Sequence, residues 1–155
     1  MNFLKLIIWA PRPNRVIDMP ASVNRFFCRK GYAAITLFGH IFTGEQHDAD
    51  RMNKGYTFTK NHEMIHLKQA QNTRNSWFLF YILYLWHSLL ALRYFRKTKN
   101  AAYYLNPFEM EAYMHTRDLH YIENCGDKGA CQWRTFARMS LAERLQLVKE
   151  HHIVR

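Results

Sequence analysis

The sequence predicts an α+β fold that is mainly α: a compact helical domain with a short N-terminal strand or hairpin. Three observations carry this reading. Of 155 residues 48% are hydrophobic and 22% charged, enough apolar content to bury a core and too much for a disordered chain. Residues 31–43 are crowded with β-branched and aromatic types. Two later segments, Asn106-Pro107 and Ser140-Leu-Ala-Glu143, carry the chemistry of helix starts. The length fits one domain over residues 1–155, and with Gly 6 and Pro 4 the chain is neither collagen-like nor low-complexity.

The elements follow in order. Residues 3–9 (Phe-Leu-Lys-Leu-Ile-Ile-Trp) read as a strand or buried arm; the charge placement and the following Pro11-Arg12-Pro13 fit a secretory signal poorly, so a cytoplasmic location is expected, with membrane association as a variant. Residues 31–43 read as a strand or short hairpin bending at Gly39. Residues 44–60, polar and carrying Asp48, Asp50, Asn53 and Gly55, read as loop. A helix is expected from about Asn61 to Gln71 and another over the apolar run 77–92. Asn106 caps a helix whose first position is Pro107, expected to run to about Glu123. A capping box at Ser140 and Glu143 opens the last helix, towards His151. The three cysteines, Cys28, Cys125 and Cys131, are an odd number and read as reduced.

The sharpest chemical signal is His62-Glu63-Met64-Ile65-His66. Histidines four apart on a helix share one face, so both imidazoles reach a single ion. Imidazole suits zinc, and the intervening Glu63 is placed as general base towards a water that the metal acidifies. Gln69 extends the same face. A catalytic zinc needs a third protein ligand, and no histidine occurs at 67–76 to supply it. The candidate lies in Asn106-Pro-Phe-Glu-Met-Glu-Ala-Tyr113. Glu109 and Glu111 are about 200° apart around a helix, so only one can face the ion. Glu109 shares its face with small Ala112, which permits close approach of the other helix. Its alternative role is the return half of a capping box on Asn106. Glu111 and His115 remain a rival pair on the other side.

These two motifs together resemble the gluzincin zinc peptidases, most closely their small minimal members, the membrane CAAX-processing type, and small bacterial proteins classed as metalloproteases. The resemblance spans about residues 56–116. It implies a minimal gluzincin-like, two-helix zinc site with His62, His66 and Glu109 as ligands, Glu63 as catalytic base, and a peptide or protein substrate. The family's second-motif Asp falls on Tyr113 here, and a phenol cannot accept from a ligand histidine as a carboxylate does. Tyr103, Tyr104, Tyr113, His115 and His120 are all chemically able to polarise a substrate carbonyl.

The run 77–92 has only His87 and Ser88 as clearly polar residues and rises about 24 Å as a helix, short of a hydrocarbon core of about 30 Å. A single span there would put His66 and Glu109 on opposite sides of a bilayer, so a metal site excludes it. The run is therefore expected to be a buried central helix, with placement at a membrane surface as the alternative. Lys+Arg 22 against Asp+Glu 12 leaves a net charge of +10. That surplus suits an anionic membrane or nucleic acid, but no nucleic-acid motif accompanies it. The competing function is accordingly a basic membrane-surface or nucleic-acid binding protein with a structural or vestigial metal site.

Overall fold

Phe38 and Gly39 both take left-handed backbone angles (φ 46° and 83°), the requirement of a two-residue primed turn whose twist suits a hairpin. They join β2 (Ala34–Leu37) to β3 (His40–Thr43), with Ile35 opposite Phe42 and Leu37 opposite His40. β1 (Val16–Asp18) adds to the other edge of β3 in parallel, giving the order β1-β3-β2. Ala34, Thr36, Ile41 and Thr43 form the buried face of the hairpin. This computed structural model describes residues 16–18, 34–44, 46–55, 57–94, 100–125 and 130–153. The strand expected at 3–9, Cys28, the basic residues 96–99 and the turn 126–129 lie outside them.

The stretch 44–60 is not the expected loop: α1 (Gln46–Lys54) occupies most of it. Its buried side consists of Ala49 and Met52, one turn apart, while His47, Asp50, Arg51, Asn53 and Lys54 are polar and exposed. So narrow an apolar stripe gives little periodicity to read. α2 (Phe58–Asn72) begins three residues before the expected start, because the Thr57 hydroxyl accepts from the Lys60 amide and caps it. A turn at Thr73–Asn75 leads into α3 (Trp77–Ala91), capped by Ser76, and a short 3-10 turn follows at Leu92–Tyr94.

α4 (Ala101–Tyr104) precedes α5 (Pro107–His115), where Asn106 caps and proline takes the first position as expected. α5 does not continue to Glu123. Its end is captured by buried Asn61 of α2, whose Nδ2 donates to the carbonyls of His115, Thr116 and Asp118. His115 is the last residue of α5 and Thr116 its cap, so these bonds tie the helix end and the turn after it to α2. The chain then forms α6 (Tyr121–Asn124), α7 (Trp133–Arg138) and α8 (Leu141–Glu150), the last opened by the expected capping box.

The main core gathers Met52, Leu67, Trp77, Phe80, Phe108 and Trp133, with Phe108 stacked on Trp133 at 4.4 Å between centroids. A second cluster, around Leu105, Met110, Phe136 and Val148, seats α8. α3 departs from the buried central helix the sequence suggests. Only Trp77, Phe80, His87 and Ala91 are buried, and a continuous apolar side faces outward. None of the described helices is long and apolar enough to cross a membrane alone. α2 and the segment 77–94 pass that test only jointly, and they are bent by 110°.

Candidate metal centre

α2 and α5 pack against each other. Ala112 of α5 meets Ile65 of α2 in one buried cluster, and this close approach brings Glu109 level with the histidines. His62 Nε2 lies 3.4 Å from Glu109 Oε2, and His66 Nε2 lies 3.4 Å from Glu109 Oε1. The three side chains are buried and offer ligand atoms all within 4.8 Å of one another, a group able to hold a metal ion. The 3.4 Å between His62 Nε2 and Glu109 Oε2 matches one edge of a tetrahedron with metal bonds of about 2.0–2.1 Å.

The hydrogen-bond network determines which ring nitrogens are available. Gln69 Nε2 donates to the Phe108 carbonyl and to Glu111 Oε2, both pure acceptors, so the amide's orientation is unambiguous. Its Oε1 then faces His66 Nδ1 at 2.8 Å, and that nitrogen must carry the proton. Thr116 donates its hydroxyl hydrogen to the Ala112 carbonyl, so its oxygen accepts from His62 Nδ1 at 3.1 Å. Both Nε2 atoms are thereby turned to Glu109. Gln69 and Thr116 thus hold the two rings, as outer partners hold metal-binding imidazoles. Tyr113, at the position of the resembled family's Asp, instead places its ring edge-on to His62 at 4.7 Å.

Glu109 does not serve as the return half of a capping box. Oε1 accepts from the Tyr84 hydroxyl at 2.7 Å, while Oε2 is buried with no hydrogen-bond partner. An orphaned carboxylate oxygen at 3.4 Å from an imidazole nitrogen is the mark of a place where a cation fits. Although burial works against its charge, His66 and His62 hold Glu109 well below the usual carboxylate range. His66 is the counterpart: burial opposes its protonation, but the charges of Glu109 and Glu63 and the bond to Gln69 outweigh it and raise the ring to about 9.

This shift gives a pH dependence. In the metal-free chain the stabilisation from protonated His66 is complete below about 6.5 and is lost as the pH rises through about 9. Metal binding requires the same ring to be neutral, so ion affinity rises with pH over that interval, releasing a proton. The melting temperature of metal-loaded protein minus that of chelated protein should therefore widen steadily from pH 6.5 to pH 9. A difference that is flat or narrows across this range contradicts the assignment.

Glu63, on the turn between the histidines, is held by Thr36 of β2, whose hydroxyl donates to Oε2 at 2.6 Å. The sheet thus reaches the site through one threonine. The rival acids are placed elsewhere. Glu111 accepts from Gln69, the Tyr121 hydroxyl and the amides of Gln132 and Trp133. His115 stacks on Tyr121 at 3.7 Å and bonds to Gln132. His120 is exposed and pairs with Glu123. Of the hydroxyls considered for carbonyl polarisation, Tyr113 donates to Tyr103 at 3.3 Å. Burial and then the charge of Glu109 push Tyr103 far above the normal tyrosine value, so it stays neutral. Cys125 and Cys131 are both free thiols.

The fold and the donor set define a helical chain with a buried two-histidine, one-carboxylate cluster able to bind a metal. No family model, curated protein or solved structure matches this chain.

Proposed function

We propose that the protein is a zinc-dependent metallopeptidase in which His62, His66 and Glu109 hold the ion and Glu63 is the general base. One observation carries the reading. An unpartnered buried carboxylate oxygen and two imidazole Nε2 atoms converge, each ring fixed through its other nitrogen. Two nitrogens and one carboxylate suit zinc rather than magnesium or calcium, which favour all-oxygen shells. Three protein ligands leave a position open, as catalytic zinc sites do.

Zinc at this position supplies Lewis acidity and acidifies water towards neutral pH. The remaining work belongs to the chain. Glu63, one residue beyond His62 and held through one oxygen by Thr36, accepts the proton of the attacking water and returns it to the leaving amine. Tyr84 holds Glu109 in place by donating to its second oxygen. The substrate class is a peptide or protein.

Elemental analysis after expression in zinc-supplemented medium tests the ligands. Wild type should carry about one zinc per chain, and His66→Ala and Glu109→Ala should carry close to none. Turnover of a peptide library should appear in the zinc-loaded protein and vanish with chelator. Zinc retained in Glu109→Ala contradicts the ligand set, and a fully loaded protein without turnover contradicts the activity.

A further inference from the structure

The metal centre uses one side of α3, through Tyr84. The opposite side presents Phe78, Ile82, Leu85, Trp86, Leu89 and, just past the helix end, Leu92, each between 47% and 59% exposed. At about 100° per residue these positions fall within an arc of about 120°. Phe38, also exposed, widens the patch: its amide donates to the Tyr81 hydroxyl at 2.9 Å and its ring meets Tyr81 edge-on at 5.4 Å. An apolar face this continuous marks an interaction surface.

Charge identifies the occupant. Between Glu63 and Glu109 the sequence contains no Asp or Glu, whereas Lys68, Arg74, Arg93, Arg96, Lys97 and Lys99 are all basic. Arg74, in the turn before α3, and Arg93, just beyond it, are both exposed and bracket the apolar side at its two ends. An aromatic-bearing apolar stripe with cations at both ends and no acids complements the boundary between acyl chains and anionic headgroups. A helix of 15 residues is about 22 Å long, too short to span, so it lies in the plane of the surface.

We propose that α3 docks this protein onto anionic phospholipid, with Phe78, Leu85, Trp86 and Leu89 among the acyl chains and Arg74 and Arg93 at the headgroups. α3 then stands between the bilayer and Glu109, which sets the metal centre about one helix diameter, roughly 10 Å, from the lipid. Docking is independent of zinc and of catalysis.

The test is co-sedimentation of the full chain with vesicles of phosphatidylcholine alone and of phosphatidylcholine with phosphatidylglycerol. Binding should require phosphatidylglycerol and weaken in high salt. The double variant Leu85→Gln, Leu89→Gln should bind at least about tenfold more weakly, with unchanged circular dichroism and zinc content, since both residues are more than half exposed. Arg74→Gln with Arg93→Gln, a pair that leaves the apolar side intact, should weaken binding by about 30-fold. Equal binding to neutral vesicles, or undiminished binding by either double variant, overturns the proposal. So does a dimer that dissociates in the leucine variant while no vesicle is bound, which would give the face to a second copy of the chain.

Discussion

Glu63→Gln should keep its zinc and lose roughly 10²–10⁴-fold in peptide hydrolysis, the contribution typical of a positioned general base. The amide is nearly isosteric and can still accept from Thr36, whose hydroxyl lies 2.6 Å from Oε2, so the fold and the ligand set are preserved. What disappears is the ability to take up a proton. The ligand geometry does not depend on this residue, because His62 and His66 are held by Thr116 and Gln69. Zinc content and hydrolysis should therefore separate: full metal, with turnover cut by that factor. Hydrolysis at the wild-type rate in the zinc-loaded variant would sink the mechanism. Loss of zinc together with activity would show that Glu63 supports the ligands instead of the chemistry.

The pattern of what the residues announce, and what they conceal, follows from interaction range. His62 and His66 are one helical turn apart, so their convergence follows from local geometry alone. Gln69 lies on the same face for the same reason, and it is the residue that orients His66. Glu109 could be preferred over Glu111 because small Ala112 on its face permits close helix approach, and Ala112 is buried against Ile65 of α2. The other partners are neutral hydroxyls brought in from a distance. Thr36 is 27 residues from Glu63, Tyr84 is 25 from Glu109, and Thr116 is 54 from His62. A threonine or tyrosine carries no local signature of such a role, and only the packing of β2, α3 and the end of α5 reveals it.

The same contrast separates the elements. Caps at Asn106 and Ser140 mark helix starts from sequence because a cap is a local bond. The end of α5 at His115 is braced by Asn61, far away in sequence, and no local pattern announces those bonds. α3 shows a further limit. Its composition is apolar all round, which reads as a core helix, but composition cannot tell a side covered by protein from one left open. The structure covers Phe80 and Trp77 and leaves Phe78 and Trp86 exposed.

A second large effect is expected at Glu111, a residue that holds the scaffold and not the ion. Its fully buried carboxylate accepts from Gln69 Nε2 at 2.8 Å, the Tyr121 hydroxyl at 2.6 Å, and the amides of Gln132 and Trp133 at 2.8 and 3.2 Å. The last two are backbone donors at the start of α7, groups that a helix cannot pair internally. Glu111→Ala strands these donors in a buried setting and should cost about 3–5 kcal/mol in chemical denaturation. The loss should already appear at this size in chelated protein, because no ion is needed for these bonds, and should be larger still in zinc-loaded protein if the ion is bound more weakly. A loss confined to the zinc-loaded form would instead make Glu111 a ligand and displace Glu109 from that role. The substitution also frees the Gln69 amide, whose other end orients His66. Zinc affinity should consequently fall by about 10–100-fold, the effect of removing an outer partner of a metal-binding histidine. Helix α7 and the ring of His66 thus depend on one carboxylate, and the fold and the metal centre should weaken together when it is removed.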